Sequence, residues 1–214
     1  TQKQTELYKK LIQKFHFVSV REDSAVVLCK EKFGIEAEHV LDPTMLLTDK
    51  DYRRIIGDIK ISDSPYVFSY LLDENKDKLS ILDAVSKKLD LPVRKIKLEK
   101  DISKIPMLEL KSLTYPSVQE WLASFAQAEF VVTDSFHGTV FSIIFNKPFV
   151  VIPNKDRGMT RFVSLLSRYN LQDSILISNL SKLNLLPKIK KDTYALGIFK
   201  EIAEIKKIIS SILC

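Results

Sequence analysis

The segment FVVTDSFHGTVFSIIFNKPFVVI, residues 130–152, constrains the fold more than any other part of the chain. FVVT and PFVVI are short, valine-rich apolar runs, the pattern of strands buried on both faces. Between them, residues from about Gly138 to Phe145 read as an apolar helix, the kind of crossover that parallel strands require. One polar cluster, Asp134-Ser135-Phe136-His137-Gly138, interrupts this core pattern where the first strand hands over to the helix.

The same alternation runs through the chain. Leu7, Tyr8, Leu11, Ile12 and Phe15 mark a helix over Thr5–Phe15. FVSV (17–20) reads as a strand, followed by a helix that Asp23 can cap and Gly34 closes. HVLDP is a short strand stopped by Pro43. YVFSYLL is another, followed by a helix carrying Leu79, Leu82, Val85 and Leu89, and VRKIKL then alternates with period two. Ser117 and Glu120 match a capping box, opening a helix with Val118, Trp121, Leu122, Phe125 and Ala126 on one face. Phe162, Leu165, Leu166 and Tyr169 mark a further helix that Asn170 can end. Ile198, Ile202, Ile205, Ile209 and Ile212 form a stripe along a long terminal helix, expected to pack in part against another element. The expected fold is α/β and Rossmann-like, a mainly parallel sheet with helices on both faces, with 1–214 as a single domain.

Composition narrows the function classes. No apolar run is long enough to cross a bilayer, and the polar start TQKQTELYKK, without an initiator Met, has no signal-peptide character and suggests an excised fragment. Cys29 and Cys214 make no disulfide framework, and no Cys/His spacing resembles a zinc site, so the expected setting is cytoplasmic and no metal is expected. The formal charge of +6 comes from 33 basic and 27 acidic residues, mostly interleaved on helices. No arginine-rich run with interleaved aromatics appears, so nucleic acid is not an expected partner. The bias suits anionic small molecules or a peripheral contact with an anionic membrane surface. With 5 glycines there is no Gly-rich dinucleotide loop.

In an open parallel sheet, ligands lie beyond the carboxyl ends of the strands, where helices begin. FVVT delivers Asp134, Ser135, His137 and Gly138 to that edge, where helix N–H groups favour an anion. His137 falls in the first helical turn, where it can move a proton, with Asp134 to orient it. Gly138 lets a ligand or a neighbouring backbone come close. A plainer reading makes Asp134 and Ser135 caps and His137 the filler of a polar gap. Arg21 follows a strand end, and NKDRGMTRF presents Lys155, Arg157, Gly158 and Arg161 before a helix, a set suited to phosphate or carboxylate. Arg21, His137, Arg157 and Arg161 are expected to converge on one electropositive pocket. His16 and His39 read as structural, Trp121 as packing, and Asp42-Pro43-Thr44 as a turn.

Three ordered blocks, FVSVREDSAVVLCKEKFGIEAEHVLDPTMLL, YPSVQEWLASFAQAEFVVTDSFHGTVFSIIFNKPFVVI and NKDRGMTRFVSLL, resemble the polysaccharide pyruvyl transferase family. The resemblance covers roughly the C-terminal half of the family domain, leaving the N-terminal half outside this chain. It implies a GT-B-like fold of two Rossmann-like halves facing across a cleft. It also implies transfer of the carboxyvinyl carbons of phosphoenolpyruvate onto two hydroxyls of one sugar of a cell-surface polysaccharide or its lipid-linked precursor, giving a pyruvate ketal and phosphate. The family's strand-end arginine falls on Arg21, and its histidine before glycine falls on His137. Some members carry an arginine two residues before that histidine, where this chain has Ser135; Arg157 or Arg161 can supply that charge instead. Phosphoenolpyruvate is then a co-substrate, with no cofactor, and the partners are a glycan or lipid-linked acceptor and the missing N-terminal half. The location is cytoplasmic, extending to the inner face of the membrane, and the fragment alone is expected to be inactive. Two other readings compete: a GT-B glycosyltransferase using a nucleotide-sugar, and a non-catalytic anion-binding Rossmann module.

Overall fold

The computed structural model describes residues 2–96, 116–152, 158–174 and 210. In chain order the elements are α1 (Gln2–Ile12), β1 (Ser19–Val20), α2 (Asp23–Leu28), β2 (Glu38–His39), α3 (Asp49–Ile56), β3 (Val67–Tyr70), α4 (Lys76–Leu89), β4 (Val93–Lys95), α5 (Val118–Ala126), β5 (Phe130–Thr133), α6 (Phe136–Ile144), β6 (Phe149–Val151) and α7 (Met159–Arg168). The chain groups into two compact units. The first comprises Thr1–Leu46, Lys155–Gln172 and Lys191–Cys214, and the second Leu47–Asn154 and Asp173–Lys190. The isoleucine stripe of residues 198–212 lies outside the described residues.

In the first unit, β1 and β2 pair in parallel, Ser19 beside Glu38 and Val20 beside His39. α2 runs on into a wider turn, Cys29–Phe33, which Gly34 closes at φ 66°. Asp23 does not cap α2. Glu22 holds the cap position without a capping side-chain bond, and the Asp23 carboxylate instead meets His39 Nδ1 at 2.5 Å and accepts from Ser164 Oγ at 3.2 Å. The α1 stripe is not core either: Leu7 is 54% exposed and Phe15 68%. α7 buries Phe162, Leu165 and Leu166 as its spacing predicts, and Asn170 follows it in the left-handed region at φ 55°.

The second unit holds a parallel four-stranded sheet in the order β4-β3-β5-β6. Successive side chains of a strand point to opposite faces, and here both faces are covered. Val67, Phe130, Val132 and Val150 join Ile81, Leu82 and Val85 of α4 in one core cluster. On the other face Phe68 meets Phe125 of α5 edge-on at 4.7 Å, and Trp121 meets Phe141 of α6 at 4.9 Å. The inward stripe of α4 differs from the expected one: Lys78 is buried where Leu79 was expected, and Leu79 is exposed. α5 opens with the predicted capping box, Ser117 accepting from the Glu120 amide while the Glu120 carboxylate accepts from the Ser117 amide. Gln127, just past α5, clips a distant loop by donating to Ile59 O at 2.7 Å and accepting from Ile61 N at 2.9 Å. β3 pairs with β4 on one side and β5 on the other, so the strand order reverses between β3 and β5. Open α/β sheets bind ligands in the crevice beside such a reversal.

Candidate functional site

The β5–α6 turn is built from its own backbone outward. Thr133, the last residue of β5, donates its hydroxyl to Tyr70 O at 2.7 Å and accepts the Ser135 amide at 3.0 Å. Ser135 is then the N-cap of α6, its Oγ accepting from Gly138 N at 3.3 Å. Gly138 sits tightly under the helix start, where the Thr133 side chain and the Tyr70 ring fill the space a Cβ would need. The close approach that its missing side chain permits is made by the protein itself. Burial raises the Tyr70 phenol above its ordinary value against a lowering hydrogen bond with Trp121, and the Asp134 charge adds to the rise. Most of α6 is buried, but His137 in its first turn is exposed, with its ring edge-on to Phe136 at 5.6 Å. An exposed imidazole beside helix N–H groups at the carboxyl edge of a sheet can exchange protons with an anionic ligand there.

The carboxylate of Asp134 turns to the loop after β3 and to α4. Its Oδ1 accepts from Leu72 N at 2.6 Å, and its Oδ2 accepts from Asp73 N at 3.1 Å and from Lys78 Nζ at 2.5 Å. Lys78 Nζ also donates to Asp73 O at 2.8 Å. The carboxylate therefore ties the turn after β5 to the loop after β3. Lys78 was missed at the sequence level, although a signal was present. A lysine in the first turn of a helix opposes the helix dipole, and Lys78 shares a face with Ile81, Leu82 and Val85, so an inward counter-charge was required.

The described basic candidates, Arg21 and Arg161, belong to the first unit. Arg21, in the first unit, donates Nη1 to Asp42 Oδ2, and its side chain is partly exposed. Asp42 also accepts from Thr44 N at 3.0 Å and Thr44 Oγ1 at 2.7 Å. Burial alone would raise its carboxyl, but the Thr44 hydrogen bonds and Arg21 outweigh burial and hold its pKa below the ordinary value. The Asp42-Pro43-Thr44 turn thus fixes a strand-end arginine. His39, read as structural, lies in a polar knot with Asp23, Ser164 and Arg168, and its Nε2 faces Arg21 O at 3.3 Å. Arg161 belongs to α7 in the same unit, behind Gly158, which holds the N-cap position at φ 84°. Lys155 and Arg157 lie outside the described residues. Asp134, Ser135, His137 and Gly138 belong to the second unit.

Among the described residues, no helix is long and apolar enough to cross a membrane. Among them also, no group of three or more His, Cys, Asp or Glu is placed to hold a metal ion. Comparisons with curated proteins and with solved structures return no match. A family model described as polysaccharide pyruvyl transferase does match, over residues 2–156. The matched span includes Arg21, the whole 134–138 segment and Lys155, and ends before Arg157 and Arg161. It thus takes in the entire four-stranded sheet with the polar turn at its edge, well over half of the 214 residues, and the chain belongs to the polysaccharide pyruvyl transferase family.

Proposed function

We propose that the full-length protein transfers the pyruvyl carbons of phosphoenolpyruvate to two hydroxyls of one sugar in a cell-surface polysaccharide or its precursor. The observation that carries this reading is His137, exposed on the first turn of α6 within the family-matched span. In the proposed reaction the substrate methylene carbon gains a proton, and its neighbouring carbon gains one sugar oxygen. Phosphate leaves, and the second sugar oxygen takes its place to close the ketal. Of the two hydroxyl protons released, one matches the proton gained by carbon and the other leaves with phosphate. His137 is the proposed carrier of these protons. Arg21 and Arg161, with Lys155 and Arg157, are the proposed ligands for phosphate and carboxylate oxygens, since guanidinium pairs with both in a bidentate fashion. We further propose that this chain is the C-terminal half of a GT-B-like enzyme and is silent without its N-terminal half. The setting proposed is the cytoplasm, up to the inner membrane face when the acceptor is lipid-linked.

The test is phosphate release from phosphoenolpyruvate by the full-length protein with glycan acceptor, and mass spectrometry of the glycan for an added pyruvate ketal. His137→Gln should lower kcat by roughly 10²–10⁴-fold, with Tm held because the side chain is exposed. A structural histidine would instead lower Tm, with activity falling in proportion to folded protein. Selective thermal stabilisation by nucleotide-sugars, without phosphate release from phosphoenolpyruvate, would replace this reading with glycosyl transfer.

A further inference from the structure

Lys78 is the one lysine or arginine among the described residues that is buried, and its side chain stays 7% exposed beside an Asp134 side chain at 1%. Stability alone does not explain the pair. Two charges withdrawn from water lose hydration that their attraction barely restores, and an apolar pair of the same volume is often as stable. An ion pair differs from an apolar contact in being directional. Here the direction is set at every point: Lys78 N is capped by Asn75 Oδ1 at 2.9 Å, Nζ is shared between Asp73 O and Asp134 Oδ2, and the Leu72 and Asp73 amides point at the same carboxylate. The two segments joined in this way, Leu71–Asn75 and Asp134–His137, follow β3 and β5, the strands between which the sheet order reverses. Asp134 is followed directly by Ser135, the cap that sets the first turn of α6 and with it His137.

We propose that Lys78 is a positioning residue for the pyruvyl transfer proposed above, a role that rests on that reading: through Asp134 it fixes the turn that presents His137 against the loop after β3. The charges matter here for where they hold the turn, from a pair buried beneath the surface.

The experiment compares wild type, Lys78→Met, Lys78→Arg and the double variant Lys78→Met/Asp134→Asn, all in the full-length protein. Lys78→Met leaves a buried carboxylate unpaired and should lower Tm. The double variant removes both charges while keeping one acceptor oxygen, for one of the two loop amides, and should regain part of that Tm. If the pair positions His137, kcat of the double variant stays roughly 10–100-fold below wild type, the size expected for an ångström-scale misplacement. The KM for phosphoenolpyruvate should stay within about threefold, and Lys78→Arg should recover part of kcat. A double variant that regains wild-type kcat together with its Tm overturns the proposal and leaves the pair structural. A second readout does not depend on activity. The ring-proton resonances of His137 should move in the double variant, and unmoved resonances overturn the proposal as well. Absence of pyruvyl transfer in wild type would sink the functional reading, while the resonance measurement would still decide whether the pair holds His137.

Discussion

A Cβ built on Gly138 would lie 2.2 Å from Thr133 Oγ1 and 3.2 Å from Tyr70 Cδ1. Alanine in a helix interior ordinarily gains up to about 1 kcal/mol over glycine, but an overpacked methyl commonly costs about 1–3 kcal/mol. At 2.2 Å from a threonine hydroxyl that is itself bonded to Tyr70 O, the steric cost prevails. Gly138→Ala is therefore expected to lower stability by about 1–3 kcal/mol in chemical denaturation, and Gly138→Ala/Thr133→Ala to lose less than the two single changes combined. A single variant as stable as wild type would show that the helix start is not packed this closely. Ser135 is read in the same way. Its hydroxyl is bonded as a cap to Gly138 N, so it too holds the start of the helix.

Helix α5 is the clearest case of an element whose start is written in its residues. Both halves of the Ser117–Glu120 capping box are formed, so Ser117→Ala should destabilise the second unit by about 1 kcal/mol, measured as a shift in the midpoint of thermal unfolding. β5, α6 and β6 were equally legible, because unbroken apolar runs bounded by a polar turn admit few other foldings. Legibility failed where a partner far along the chain decides a side chain's role. Asp23 looks like a cap by its neighbours, yet its carboxylate goes to His39 and Ser164. The spacing of α4 admits Leu79 or Lys78 on the inward face, and Asp134, far along the chain, settles it in favour of the lysine. The α1 stripe has helical spacing, but periodicity alone does not say whether a face is covered. At the candidate site, the edge and the exposed histidine could be read from pattern, whereas the commitment of Asp134 to Lys78 could not.

Across the molecule, the two units carry opposite pH signatures. In the first, the Asp42 pKa is lowered from its ordinary value. Its contribution to stability is therefore present above the unfolded-state value and is lost as pH falls through the lower folded value. In the second, burial pushes the Tyr66 phenol from 10.0 up to about 12 against the nearby Arg94 charge. That contribution is complete below pH 10.0 and fades as pH rises toward about 12. Stability measured against pH should accordingly fall at both ends. Asp42→Asn should flatten only the acid limb, and Tyr66→Phe only the alkaline limb. An acid limb unchanged in Asp42→Asn would show that other carboxylates set it.

The reversal of strand order between β3 and β5 also governs how the second unit can fold. β3, α4 and β4 are consecutive and can associate early, but β5 must arrive from far along the chain, Phe130 pairing with Val67. Until it does, Lys78 has no Asp134 to neutralise it, and a buried ammonium without its partner is strongly disfavoured. A half-built sheet with α4 already docked is thereby penalised, which couples the arrival of β5 to the docking of α4. The charge that orders the turn in the finished protein thus also favours the completed sheet over a half-built one.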